Sequence, residues 1–335
     1  MRDAQQGGAM SLRSFSLVLI VLSVVANAPL RAQESSTWSA LEREDVRLAR
    51  IAERVMVANA SLCDILMPAT GMILHSRDQY REGVADDRFA DGSLAISSIV
   101  PHSPAARAGL RRDDVILAIN GLAVSAIAPP DDGNLREAAF TLLASQPTGA
   151  TIALRIKRDA VEQMISVVPP AGCRSLVEIM TGDGPRARSD GQVIQVQYDF
   201  AAQLDDAQMA VVLAHELAHT VLEHRRRKEE AGIDNGVFAE FGRNQQVNRQ
   251  AEIEADRLSV HLLANAGFDP SSIPLFWRSE IGRSLGGAMP SFVYPTQEAR
   301  AQLVEREMEM FLPHRRGPSW PGHLLELKER SFAAD

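Results

Sequence analysis

HELAH at residues 215–219 has the pattern HExxH and lies inside an apolar run without glycine or proline. A run of this kind predicts a helix, and residues four apart share one face of a helix. His215 and His219 can therefore direct two imidazoles at one metal ion, with Glu216 beside them to act on a metal-bound water. The alternative is a helix that carries two histidines and a glutamate on its polar face without any chemical role.

A third ligand is expected downstream, because two histidines leave a tetrahedral zinc short of one protein ligand. The segment 249–258, RQAEIEADRL, also predicts a helix, and Glu252 and Asp256 share one of its faces. We expect Glu252 to be the third ligand and Asp256 to orient a ligand. An ordinary charged helix face is the alternative. His224 and His261 follow site residues by five positions, so they are expected to point away and to be surface or packing residues.

HELAH, preceded by LDD at 204–206 and followed by ExEAD at 252–256, resembles the HtpX-like zinc metallopeptidases, which are related to CAAX prenyl proteases. The segment 189–196, SDGQVIQV, resembles the strand that precedes the active-site helix in that family. The resemblance covers residues 186–310. It implies an α+β fold with a mainly helical gluzincin metallopeptidase domain and a small sheet, in which Glu252 is a zinc ligand and Asp256 its supporting carboxylate.

The chain departs from the family near the end of this domain. The family has a His-Pro pair followed by an arginine, whereas this sequence has Tyr294-Pro295 and Arg300. Tyr294 is a candidate catalytic residue that donates a phenolic hydrogen bond to the oxyanion, and Arg300 a candidate supporting residue. The substrate is expected to add as a β-strand along an edge strand that includes Gln192, Val193 and Ile194.

The predicted activity is that of an exported zinc endopeptidase with one Zn²⁺ per chain, acting on unfolded or misassembled polypeptides. Zinc lowers the pKa of its bound water, and Glu216 is the expected general base. Two other functions stay open. The protein could be a non-proteolytic adaptor or chaperone with a structural metal site, which binds its partner through the second module of the chain, or a peptidase dedicated to one protein partner. Glu216 argues against the adaptor, since a structural site needs no base.

The middle of the chain carries a second module. Residues 97–121, SSIVPHSPAARAGLRRDDVILAING, resemble the PDZ domains of HtrA-type and site-2-type bacterial proteases. The resemblance implies a β-sandwich-like PDZ domain at 67–170, inserted after the first helix. PDZ domains bind extended peptides at a sheet edge, and the loop Thr70-Gly71-Met72 is the candidate that holds a peptide carboxylate. The domain could instead be a spacer or a lid, because a fold does not fix a function.

The remaining expectations concern export and domain layout. An apolar run at 15–26 predicts a signal peptide over 1–32, with an uncleaved anchor as the alternative. A helix at 33–66 is expected to pack on the metallopeptidase domain, 171–335. Cys63 and Cys173 flank the PDZ segment, and an exporting compartment permits their disulfide; two free thiols are the alternative.

Composition limits the partners. The net charge of −8 argues against nucleic acid, and no second apolar segment has the length of a membrane span. We therefore expect a periplasmic or secreted protein whose partners are polypeptides, envelope proteins among them.

Overall fold

The computed structural model describes residues 28–83, 86–183, 186–189, 191–233, 242–285 and 296–332. The chain divides into two compact units, residues 1–41 and 42–335, and the second contains every strand of the described residues. The helices are α1 (Ala28–Ala58), α2 (Pro104–Arg107), α3 (Leu135–Ala144), α4 (Tyr198–Ala201), α5 (Asp206–Val221), α6 (His224–Glu230), α7 (Gly242–Asn265), α8 (Ser272–Arg278), α9 (Glu280–Ser284), α10 (Gln297–Phe311) and α11 (Gly322–Leu325). The strands are β1 (Leu66–Pro68), β2 (Met72–Ser76), β3 (Leu94–Ile99), β4 (Val115–Ile119), β5 (Leu122–Ala123), β6 (Ile152–Arg158), β7 (Val161–Val167), β8 (Ala171–Cys173), β9 (Leu176–Met180), β10 (Ala187–Ser189) and β11 (Val193–Gln197).

The inserted module is a six-stranded sheet in the order β2-β3-β4-β6-β7, with β5 paired to β4. Its core consists of fully buried aliphatic side chains from these strands and from α2 and α3. Two caps set its helices: Ser103 accepts from Ala106 N before α2, and Asn134 accepts from Glu137 N before α3. β2 is an outer strand of the sheet, and with α3 it borders a cavity of about 110 Å³.

The two ends of this module meet at a narrow neck. β1 and β8 pair antiparallel, with Leu66 opposite Cys173 and Pro68 opposite Ala171. The disulfide between Cys63 and Cys173 closes the same neck, as the sequence predicts. Residues between these strands therefore leave and re-enter the rest of the fold at one place.

A three-stranded sheet in the order β10-β11-β9 lies beside α5. β11 is its central strand: it pairs antiparallel with β10 and parallel with β9. The expectation that the segment Gln192-Val193-Ile194 lies on a free edge is therefore wrong, because the backbone of β11 is hydrogen-bonded on both sides. Ile194 is 1% exposed and belongs to the core. The free edge next to α5 belongs to β10 instead.

The helical part is organised around α5, which contacts α7 and α8. Asp205 and Gln208 form a capping box at its start. Hydrogen bonds connect α1 and the residue after it to these helices. Arg47 donates to the carboxylate of Asp206, and Asn59 donates to the carbonyl of Leu262. Within the described residues, no helix combines the length and the hydropathy needed to cross a membrane.

α5 ends earlier than the sequence indicates. Glu223 has a left-handed backbone, φ 52° and ψ 36°, and α6 begins at the next residue. Residues other than glycine seldom adopt this conformation, and no glycine marks the break. The prediction that the helix continues and turns His224 away from the metal face is wrong, because the chain changes direction at Glu223.

Candidate functional site

Three predicted ligands converge where α5 and α7 pack together. His215 Nε2 lies 3.2 Å from His219 Nε2 and 3.2 Å from Glu252 Oε2. His219 Nε2 lies 3.5 Å from Glu252 Oε1. Zinc–ligand bonds of about 2.0–2.2 Å place the ligands of a tetrahedral ion about 3.3–3.6 Å apart. The two imidazole nitrogens and the carboxylate oxygens of Glu252 are thus separated by distances close to those between the ligands of a tetrahedral zinc ion, and they have the chemistry of zinc ligands.

The protonation tendencies of these groups fit a cation. Burial opposes ionisation of Glu252, but His215, His219 and Arg300 together hold its pKa well below the usual value. Burial lowers the pKa of His219, which keeps its imidazole neutral. Burial also disfavours a charged His215, yet the carboxylates of Asp256 and Glu252 outweigh it and raise its pKa to about 10. Two carboxylates therefore face His215, and a metal cation at this imidazole would supply positive charge to them in place of a proton.

Asp256 and Arg300 contact the predicted ligands His215 and Glu252. Arg300 donates two hydrogen bonds to Asp256, of 2.6 and 2.7 Å, and its Nη2 lies 3.4 Å from Glu252 Oε2. The guanidinium also stacks 3.7 Å from the ring centroid of Trp277. His215 Nδ1 lies 3.1 Å from Asp256 Oδ1, but at an angle too poor for a hydrogen bond. This contact is therefore electrostatic in the structure, and a small ring rotation would make it a hydrogen bond.

His224 reaches the site from α6, which sequence reasoning missed. Its Nδ1 lies 2.7 Å from His219 Nδ1, and its Nε2 lies 3.0 Å from Glu254 Oε2. Arg227 donates to the same carboxylate at 2.6 Å. A carboxylate only accepts hydrogen bonds, so Nε2 of His224 carries the proton and its Nδ1 accepts. His219 then donates through Nδ1, and its Nε2 lone pair is free for a metal.

Glu216 is the candidate base next to the ligands. Burial raises its pKa to about 7, while the charges of His215 and Arg300 oppose that change. Tyr294, the other predicted catalytic residue, lies outside the described residues.

His261, predicted to be a surface or packing histidine, is buried and belongs to a second histidine–glutamate group. His261 Nε2 and His323 Nε2 lie 3.0 and 2.7 Å from Glu307 Oε1. Ser319 Oγ lies 2.6 Å from the other ring nitrogen of His261. These are hydrogen-bond distances, shorter than the edges of a zinc tetrahedron. The group connects α7, α10 and α11 as packing.

The predicted carboxylate loop Thr70-Gly71-Met72 has little free space around it. Gly71 has φ +75°, and a Cβ there would lie 2.1 Å from Ser103 Cβ and 3.0 Å from Glu53 Oε2. Met72 N already bonds Thr70 Oγ1 at 3.3 Å. A cavity of only about 110 Å³ remains here, bounded by β2, α3, α1 and β9. The chain's own elements thus lie in front of the loop.

Two larger cavities share lining residues with each other. The smaller, about 330 Å³, is lined by His219, Thr220 and the Cys63–Cys173 disulfide. The larger, about 900 Å³, lies between α3 and the strands β9 to β11. Arg174 and Gln192 line both cavities. Together the cavities form a groove that runs from His219 to the helix of the inserted module.

Comparisons with known proteins identify one part of the chain. Residues 96–158 match the family model described as PDZ domain, so the chain contains a PDZ domain. No curated protein matches the chain. A solved structure titled "HtrA-type protease AlgW with decapeptide" is similar at 17% identity and a TM-score of 0.25. That match covers 32% of this chain, and the chain spans only 30% of that protein's length.

Proposed function

We propose that this protein is a zinc-dependent endopeptidase of the HtpX-like type that cleaves unfolded or misassembled polypeptides. The observation that carries the proposal is the convergence of His215, His219 and Glu252 beside Glu216. His261, Glu307 and His323 also converge, but without an adjacent base and at hydrogen-bond spacing. The metal ligands would be His215, His219 and Glu252. A zinc ion there would supply Lewis acidity and a water of lowered pKa.

The protein's own groups supply the proton transfers and the orientation. The carboxylate of Glu216 accepts a proton from the attacking water and returns it to the amine of the leaving peptide. A pKa raised to about 7 by burial suits both steps near neutral pH. Asp256 and Arg300 hold His215 and Glu252 in place. His224 fixes the tautomer of His219, so its Nε2 keeps a lone pair toward the ligand centre.

The PDZ domain recruits or regulates substrate in this proposal. The groove that begins at His219 reaches α3 of the PDZ domain, so a polypeptide extending from the candidate metal centre would contact this domain. Export is proposed as well, with a periplasmic or secreted location, because the disulfide at the neck is typical of oxidising compartments. Envelope proteins are accordingly among the proposed substrates.

One experiment separates this proposal from a PDZ adaptor with a structural metal. Purified protein is assayed for zinc content and for digestion of denatured casein, with and without a chelator. We expect one zinc per chain and digestion that stops with chelator. Glu216→Gln should keep zinc yet lose digestion, and Glu162→Gln on β7 is the matched control. Equal digestion by the Glu216→Gln variant would exclude this mechanism, and zinc binding with no digestion by the parent protein would favour the adaptor.

A further inference from the structure

We propose that Arg174 is a carboxylate-binding residue of the substrate groove, which makes acidic polypeptides the preferred substrates. The inference rests on the proposed peptidase function, since it assigns specificity to the same groove. Its ligand is a carboxylate, either of an Asp or Glu side chain or of a peptide C-terminus.

Arg174 is held at the junction of the two cavities. It follows Cys173, whose disulfide fixes the neck, and its backbone N donates to Ile65 O at 3.0 Å. The residue lines both the 330 Å³ cavity beside His219 and the 900 Å³ cavity beside α3. A peptide that extends from the candidate metal centre toward the PDZ domain would pass this side chain.

The guanidinium of Arg174 has no side-chain partner among the described residues, although the residue is half-buried. Of the other arginines that line the groove, Arg188 is exposed and donates to the neutral side chain of Gln195 at 2.6 Å, and the remaining three are paired with carboxylates. Arg225 bonds Glu229 at 2.9 Å, Arg226 bonds Glu230 at 2.8 Å, and Arg136 pairs with Glu178. The groove therefore contains one half-buried cation whose charge nothing described balances.

Chemistry selects the ligand of such a group. A guanidinium removed from part of its water gains most from an anion that accepts two parallel hydrogen bonds, and carboxylates match that geometry. An unpaired, partly desolvated charge is costly, so an incoming carboxylate recovers free energy that a neutral side chain cannot. Because the groove continues on both sides of Arg174, the position suits discrimination among extended peptides.

Binding is measured with the full-length, zinc-loaded Glu216→Gln protein, so that turnover does not interfere. Fluorescent peptides of one sequence carry Glu or Gln at each position in turn, with a free or an amidated C-terminus. The peptide with the preferred acidic position should bind about tenfold more tightly than its Gln counterpart, as expected for a charge-assisted pair. The Glu/Gln series reports a side-chain carboxylate, and the free/amidated series reports a terminal one.

Arg174→Gln should abolish the preference, and Arg174→Glu should reverse it. Arg155→Gln, which removes an exposed arginine of β6 outside both cavities, should keep it. Zinc content and circular dichroism establish that each variant is folded. In the active protein, Arg174→Gln should raise KM for the acidic peptide and leave kcat unchanged.

The outcomes separate this inference from the proposed function. Casein digestion together with an acidic preference that survives Arg174→Gln overturns the role of Arg174 alone. An Arg174-dependent preference in a protein that digests nothing overturns the peptidase proposal and leaves the carboxylate site in place. No preference for acidic peptides in the parent protein overturns the inference outright.

Discussion

His224 Nδ1 lies 2.7 Å from His219 Nδ1, although the two residues belong to different helices. The contact exists because the left-handed Glu223 ends α5 and folds α6 back toward it. Metal-binding histidines commonly donate a hydrogen bond from their second ring N–H to a carboxylate or a carbonyl. Here an imidazole takes that place, and Glu254 and Arg227 lie behind it.

The first prediction concerns this imidazole. His224→Ala should weaken zinc binding by about 10–100-fold, because His219 loses the acceptor that fixes its tautomer. His314→Ala removes an exposed histidine and is the control. A chelator-competition titration measures both affinities. Identical zinc affinity in the two variants would show that His224 only packs.

A second prediction concerns the third ligand. Glu252→Ala should lower zinc occupancy, because two histidines alone lack the anionic ligand of the site. Zinc per chain is measured after dialysis against a weak chelator, with Glu162→Ala as the control. Retention of a full equivalent by Glu252→Ala would move the third ligand to another residue.

The buried ion pair between Arg300 and Asp256 should matter for stability. Asp256 is 1% exposed and Arg300 7% exposed. Removing one partner leaves a charge buried without compensation, so Arg300→Met should cost about 3–5 kcal/mol. Urea unfolding at saturating zinc gives the free energy of unfolding. A loss below 1 kcal/mol would mean that water reaches Asp256 in the variant.

Glu53 predicts a pH-dependent stability. Burial raises its pKa to about 7, against the opposing charge of Arg107, while the unfolded carboxyl titrates near 4.5. At low pH the side chain is protonated, so no charge is buried. This contribution to the free energy of unfolding is lost as the pH rises from 4.5 through 7. After a discount for its partial exposure, Glu53→Gln should stabilise the protein by about 1–2 kcal/mol at pH 8 and by nothing at pH 4.5.

Urea unfolding at both pH values tests this, with Glu162→Gln as the exposed control. A gain of equal size at the two pH values would trace the effect to packing rather than to charge. The opposite order would show that Glu53 is ionised in the folded protein.

The disulfide prediction is thermodynamic. The bridge spans a sequence separation of 110 residues. Closing a loop of about 100 residues restricts the unfolded chain by about 4–5 kcal/mol. The double variant Cys63→Ser/Cys173→Ser should lose stability on that scale in non-reducing urea titrations. Reductant should destabilise the parent protein and leave the variant unaffected.

Local patterns predicted much of this protein. The helix at HExxH depends on spacing within a short segment, and the PDZ domain was predicted from the motif at 97–121; both are present. Glu252 and Asp256 could be assigned to one helix face because that face depends only on the helical repeat. Arg300 was predicted beside the site only through the family resemblance.

Other features depend on contacts that no local pattern reveals. Glu223 adopts a left-handed conformation that its residue type does not indicate, so the approach of His224 could not be foreseen. Ala187–Ser189 forms β10 without the alternation of apolar and polar residues that indicates a strand. The sequence therefore did not indicate that β10 is the edge strand of the sheet. The space in front of Gly71 is taken by Ser103 and Glu53, which belong to other elements of the fold.

The closed neck has a mechanical consequence. A bound polypeptide under tension would pull on the PDZ domain and on its connecting strands β1 and β8. Because the disulfide links these strands at one end, the force could not separate them starting from that end. The load would instead pass through Cys173 to its neighbour Arg174, at the wall of the cavity that His219 also lines. Tension on one module would thus be transmitted to the other through a rigid connection. Reduction of the disulfide would make that connection flexible.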